Sequence, residues 1–288
     1  MSQAVKTWAE WLKKARFSYM TEEQKEQTLR WLIIVRDKII ANAKIEPNHT
    51  VIDIGTGTGL LSFSAYELIK NHGKIIAMDL SEDCLEECKN LAVECNMGKE
   101  FETLISDIYD IALEDNFADI AVMRSVLVHV RNKPKAIAEI YRILKPGGRF
   151  SFFEPVVSSN TKYNELISPT MKNFDKFKEV EIQIMNDQNS PLTNFTEETL
   201  KSDIEEAGFK NINFELAEEK SIYPVKAEMI EPWFNTPTSP GNPSLKDKLL
   251  KYFEPDEVDE FIENIKQDLN GKEITVKMVS VYGYAEKL

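Results

Sequence analysis

Apolar residues recur along this chain in two rhythms. Up to residue 46 they follow helical spacing: Trp8, Trp11 and Leu12, then Leu29, Leu32, Ile33 and Val35, then Ile39 and Ile40. Thr21 before Glu22 and Glu23 marks a helix start within this stretch, and Pro47-Asn48 closes it. From residue 50 short apolar runs alternate with helical ones. Thr50–Ile54, Lys74–Leu80, Glu102–Ile105, Ala118–Met123 and Arg149–Glu154 predict strands. Leu60–Asn71, Ser81–Asn96 and Pro134–Leu144 predict helices between them, with Ser81 as an N-cap. His72-Gly73 and Lys145-Pro-Gly-Gly148 are stop signals.

This alternation predicts an α/β fold with a parallel sheet and helices on both faces. Ligands of such sheets bind beyond the carboxyl ends of the strands. The loops after residues 54, 80, 105, 123 and 153 are therefore the candidate site. The second half is less regular. Residues 155–195 read as a helical insertion carrying Tyr163, Met171, Phe174 and Phe177. Thr196–Ala207 predicts a helix stopped at Gly208, Phe209–Leu216 a strand, and Ile274–Ala285 a last strand. Residues 217–272 form a second insertion with an exposed loop at Thr236–Ser244. The expected organisation is a helical cap over 1–46 and one domain over 47–288 carrying both insertions.

Charge narrows the partners. Asp and Glu number 48 against 35 Lys and Arg, a net charge of −13. An acidic surface repels phosphate backbones, so no nucleic-acid partner is expected. The stretch MSQAVKTWAEWLKKARF has no apolar core of signal length, and Trp31–Val35 is too short to span a bilayer. No membrane insertion is expected, and the expected location is the cytoplasm. Cys84, Cys88 and Cys95 lack CxxC spacing, which predicts reduced, partly buried thiols and no metal site, with a soft-metal or metalloid site as the lesser alternative.

The chemistry concentrates in Val51-Ile-Asp-Ile-Gly-Thr-Gly-Thr-Gly59, a strand end opening into a helix. Glycines there permit a tight turn and close approach of backbone to a ligand. Asp79 follows twenty residues after Gly59, at the end of the next strand, where an acid can accept ribose hydroxyls. The spacing Gly55-x-Gly57-x-Gly59 puts Leu60 where a dinucleotide fingerprint needs glycine. Asp53 before the turn suits a ligand carrying an ammonium and a sulfonium better than a pyrophosphate.

Further segments follow in order: Ala77-Met-Asp-Leu-Ser81, Ser106-Asp-Ile108, Asp119–Val130, Arg142–Arg149, Phe195-Thr-Glu-Glu198 and Glu206-Ala-Gly-Phe209. With the glycine turn, they make the chain resemble the class I S-adenosylmethionine (SAM)-dependent methyltransferases, in particular the ubiquinone/menaquinone C-methyltransferase-like branch. The resemblance covers residues 48–154 and, more loosely, 195–216. It implies a Rossmann-like, seven-stranded, mostly parallel sheet ending in an antiparallel strand, with SAM as cofactor.

It also implies individual roles. Gly55, Gly57 and Gly59, with Thr56 among them, would line the methionine moiety and ribose, over a turn supported by Asp53. Asp79 would take the ribose hydroxyls and Leu80 would pack on the adenine. Asp107 would meet the adenine amino group, with Ser106 and Ile108 beside it. The backbone at Arg124 and Ser125 would contact the amino-acid end.

Methyl transfer expels a neutral thioether, so alignment matters more than acid catalysis. A hydroxyl or amine nucleophile would need a base, and His129 is the candidate. Glu154 is expected to face the site and bind the substrate. Phe17, Tyr19, Met20, Tyr163 and Trp233 are expected to bind the substrate, a small molecule accepting methyl on O, N, C or S. Two other readings stand beside this one: a non-catalytic SAM-binding protein and an NAD-dependent oxidoreductase. Arg124-Ser-Val-Leu127 in place of an Asn/Asp-Pro-Pro-aromatic motif disfavours adenine or glutamine N-methylation. The oligomeric state is left open.

Overall fold

A computed structural model describes residues 22–69, 72–237 and 243–288. The chain divides into two compact units. The first holds the described residues up to Pro155, with Glu197–Ala217 and Ser280–Leu288; the second holds Val156–Thr196 and Glu218–Val279.

In the first unit, β1 (Thr50–Ile54), β2 (Lys74–Asp79), β3 (Phe101–Ile105), β4 (Ala118–Arg124) and β5 (Leu144–Pro155) alternate with helices. The helices are α1 (Glu22–Ala43), α2 (Leu60–Ile69), α3 (Glu82–Glu94) and α4 (Lys133–Ile143). Ser81 caps α3, its hydroxyl accepting the Cys84 N–H at 3.3 Å. Adjacent strands from β3 to β5 are parallel. The last strand, β7 (Glu273–Glu286), joins β5 antiparallel, and β6 (Lys210–Pro224) lies at its outer side. The sheet order is thus β3-β2-β1-β4-β5-β7-β6, the expected seven-stranded α/β architecture. It reverses direction between β1 and β4, which is where ligands of such sheets bind.

Residues 1–46 were set apart above as a cap, but α1 packs into the core of the first unit. Its Leu29, Leu32, Val35, Ile39 and Ala43 are buried with Val51, Ile75 and Ile120 of the sheet. An apolar stripe of that width must be covered, and the sheet face covers it. The Ser151 hydroxyl donates to the Ile39 carbonyl at 2.8 Å and fixes α1 along β5. Residues 1–21, including Phe17, Tyr19 and Met20, lie outside the described residues.

The second unit has its own core. Phe177, Val180 and Ile184 of α5 (Phe174–Met185) are buried with Ile230 and Phe234 of α7 (Ala227–Asn235) and Phe261, Ile262 and Ile265 of α9 (Pro255–Leu269). The remaining helices are α6 (Glu197–Glu206), in the first unit, and the short α8 (Leu245–Leu249). No helix among the described residues is long and apolar enough to cross a membrane.

Gly59 shows how tightly the first unit is packed beneath the turn. Its φ is +94°, and a Cβ there would stand 2.7 Å from the Phe63 ring and 3.0 Å from Cys88 Sγ. Gly59→Ala is expected to cost about 1–3 kcal/mol, from left-handed strain and overpacking. Urea denaturation checks this; an unchanged midpoint would contradict it.

Candidate functional site

The site grows from the carboxyl end of β1. Asp53 is fully buried, and one carboxylate oxygen collects three donors. Thr56 Oγ1 donates to it at 2.7 Å, the Ser62 N–H at 2.9 Å and the Ser62 hydroxyl at 2.7 Å. Ser62 lies in the first turn of α2, so the acid satisfies a helix N-terminus as well as the turn. Burial pushes the Asp53 carboxyl up to about 6, against the pull of these donors. Gly55 follows with φ +68°, and a Cβ on it would meet Val126 Cγ2 at 2.4 Å. Only glycine lets the turn close against the loop after β4.

Asp79 ends β2. One of its oxygens accepts the Gly57 N–H at 2.9 Å and the other the Ser81 N–H at 2.9 Å. A carboxylate has about four acceptor positions, so each oxygen keeps room for another donor. Leu80 beside it is 70% exposed, a large apolar side chain with an open face. At the end of β3 the Ser106 hydroxyl accepts the Ala112 N–H at 2.9 Å and donates to the Asp110 carbonyl at 3.2 Å. Asp107 accepts the Tyr109 N–H at 2.8 Å.

After β4, Ser125 takes a left-handed φ of +56° and donates its N–H to the Phe153 carbonyl at 2.8 Å. A one-turn 3-10 helix, Leu127–His129, follows. Glu154 holds it from β5. Its fully buried carboxylate accepts the N–H groups of Val126 at 2.8 Å, Leu127 at 2.9 Å and Val128 at 3.0 Å. Burial pushes this carboxyl up to about 7, while the amide donors and Lys133 pull it down.

Together these loops enclose a cavity of about 380 Å³. Its walls include Ile54 and Gly55, Met78, Asp79 and Leu80, Ser106–Tyr109, Ser125 and Val126, and His129 and Val130. Desolvation and the Lys133 ammonium hold the His129 pKa below its ordinary value, so the ring is neutral at pH 7 and able to accept a proton. Among the described residues, no group of three His, Cys, Asp or Glu could hold a metal ion. Burial pushes the Cys88 thiol up to about 12, which makes it unreactive.

A family model described as a methyltransferase domain matches residues 45–199, more than half of the chain. The chain belongs to this methyltransferase-domain family. Among curated relatives it is 32% identical over 118 residues to a demethylmenaquinone methyltransferase of Symbiobacterium thermophilum, covering 41% of this chain and 47% of that one. It is 25% identical to a ubiquinone/menaquinone biosynthesis C-methyltransferase of Francisella philomiragia, covering 63% of this chain and 75% of the relative. The match thus spans about half to three quarters of such relatives' length. Among solved structures, a putative methyltransferase from Bacillus halodurans superposes with a TM-score of 0.53 at 20% identity, covering 88% of this chain and 98% of that one. That likeness supports the fold.

Within this methyltransferase domain the expected site residues separate. Gly55, Asp79, Leu80, Ser106, Asp107, Ile108, Ser125 and His129 meet on one cavity wall. Asp53, Thr56 and Gly59 lie behind it: the acid and the hydroxyl are bonded to each other, and Gly59 faces Phe63. Gly57 spends its N–H on Asp79. Glu154 was expected to face the site as a substrate ligand; instead both its oxygens are turned onto the 126–128 amides, because a one-turn helix leaves those donors unsatisfied. Tyr163 and Trp233 belong to the second unit, where their rings stack 5.9 Å apart. Sequence reasoning missed Ile54, Met78, Tyr109, Val126 and Val130 on the wall. Their signal was adjacency to motif residues, which the apolar strand pattern absorbed.

The raised Glu154 carboxyl has a consequence for pH. Its folded value, about 7, lies above the ordinary value of 4.5. Its stabilising contribution is therefore full below about 4.5 and is lost as pH rises through 7. Wild-type protein should lose about 3 kcal/mol between pH 4.5 and 8 that Glu154→Gln does not lose. Denaturant titrations of both proteins across that range check the difference; parallel pH profiles would contradict it.

Proposed function

We propose that this methyltransferase moves a methyl group from SAM to a small-molecule acceptor by in-line displacement. The observation that carries the reading is the pairing of Asp79 with an apolar slot. The acid keeps open acceptor positions on the cavity wall, and Leu80 and Ile108 line the same cavity beside it. A nucleoside fits that arrangement, with ribose hydroxyls on Asp79 and the base between the two apolar side chains. Gly55 lines the same cavity, where the chain that continues from the ribose would pass.

SAM supplies an electrophilic methyl on a sulfonium, whose leaving group is neutral. The protein's tasks are to orient the acceptor and to remove a proton where the nucleophile carries one. Neutral His129 at the cavity wall serves as that base for a hydroxyl or amine acceptor. The matched relatives act, by their names, on demethylmenaquinone and in ubiquinone/menaquinone biosynthesis, which favours an apolar ring-containing acceptor.

Melting curves with SAM, S-adenosylhomocysteine and NAD test the cofactor. A ligand at 100 times its Kd stabilises the folded state by about 2.7 kcal/mol. Stabilisation by the first two and not by NAD is expected, and stabilisation by NAD alone would overturn the reading. Asp79→Ala should weaken S-adenosylhomocysteine binding at least tenfold in calorimetry, because charge-assisted hydrogen bonds to the ribose are lost. Unchanged affinity would remove Asp79 from the ribose role.

A further inference from the structure

Lys133, the first residue of α4, is only 2% exposed. A lysine is seldom buried to that degree unless its charge is paired. Its ammonium donates to the Val130 carbonyl at 2.9 Å. Val130 directly follows the one-turn helix Leu127–His129, and its own N–H bonds back to the Leu127 carbonyl at 2.9 Å. Opposite charges therefore hold the two ends of this turn. The Glu154 carboxylate takes the amides at its start, and the Lys133 ammonium takes the carbonyl at its end. That matches the polarity of a helical turn, with donors first and acceptors last.

His129 and Val130, at the clamped end of the turn, stand on the cavity wall, and the His129 ring is exposed there. Lys133 lies behind that wall. The titratable groups around the imidazole come from several elements. Lys133 is on α4 and Glu154 on β5, Arg131 follows two residues along the chain, and Asp79, Asp107 and Tyr109 line the same cavity. Lys133 is the charge among them that bears on the imidazole proton. Burial brings the lysine down to about 8, against the pull of Glu154 and of Asp203 on α6, so it keeps its charge at neutral pH. A like charge at close range disfavours a second proton on the ring.

We propose that Lys133 is a positioning residue for the base: its ammonium seats the turn that carries His129 at the cavity wall and, by like-charge repulsion, keeps the imidazole free to accept a proton. This rests on His129 serving as the base in the methyl transfer proposed above. It adds a residue that acts through His129 from behind the wall. It also gives a buried lysine a task, since a bond to the Val130 carbonyl alone needs a donor and not a charge. The arrangement serves an acceptor that loses a proton as the methyl arrives, a hydroxyl or an amine.

The test is an NMR titration of the His129 ring in the full chain, with His129→Gln assigning its signal apart from those of His49 and His72. Lys133→Met removes both the charge and the donor. Lys133→Gln keeps a donor for the Val130 carbonyl and removes only the charge; it also serves if the methionine variant melts early. Lys133→Arg keeps the charge. The His129 midpoint should rise by about half a pH unit in the methionine and glutamine variants and stay at the wild-type value in the arginine variant, with His49 and His72 unmoved. Calorimetry should find S-adenosylhomocysteine bound by Lys133→Gln within about twofold of wild type, because the lysine acts on the base and not on the cofactor. An unmoved His129 midpoint in both neutral variants, or an equal shift of all three histidines, would overturn the role of Lys133 while leaving the cofactor reading intact. Failure of wild type to bind S-adenosylhomocysteine at all would instead overturn the cofactor reading, and this role with it.

Discussion

A buried carboxylate at the end of β1 holds the site together. Without Asp53, the Thr56 hydroxyl and both donors of Ser62 would lose their shared acceptor inside the core. Each unsatisfied buried donor costs about 1–3 kcal/mol. The acid itself is held in a place that raises its pKa to about 6, so its burial is tolerated only because three donors converge on it. The geometry of the turn follows. Thr56 is locked behind it, its N–H bonded to the Met78 carbonyl at 2.8 Å, and Gly57 is presented to Asp79. The first and second strand ends are thereby tied into one surface.

The same device recurs at β5. Glu154 gathers the three amides of Val126, Leu127 and Val128, as Asp53 gathers the donors of the glycine turn. The two acids fix the two loops that close on each other where Gly55 meets Val126. Neither is on the cavity wall, yet both determine what stands there: Asp79 through Gly57, and Ser125, Val126 and His129 through the short turn. A rigid frame of this kind suits displacement chemistry, in which alignment of donor and acceptor supplies most of the acceleration.

The central strands were legible in the sequence because parallel strands buried on both faces read as continuous apolar runs. Ile75–Met78 is such a run and Val51–Ile54 is one apart from the buried Asp53, and β1 and β2 lie where they predict. The outer strand β6 was not. It runs through Ala217-Glu-Glu-Lys220, well past the expected end at Leu216, because hydrogen bonding to a neighbour and not burial sustains it. Likewise β5 begins at Leu144, before the Lys145-Pro-Gly-Gly148 stop, with an irregularity in its pairing to β4 between Ala118 and Ile120. In the site, polar residues at strand ends announced themselves, but the direction each faces did not. Glu154 and Asp79 are both strand-end acids; one serves buried amides and the other the cavity, and only the neighbouring turn decides which.

A crystal structure of the protein with S-adenosylhomocysteine tests the central claim most directly. The account predicts electron density in the cavity at the carboxyl ends of β1 to β4, with both ribose hydroxyls on Asp79 and the adenine between Leu80 and Ile108. Density elsewhere, or a nucleoside in this cavity whose ribose does not touch Asp79, would contradict it.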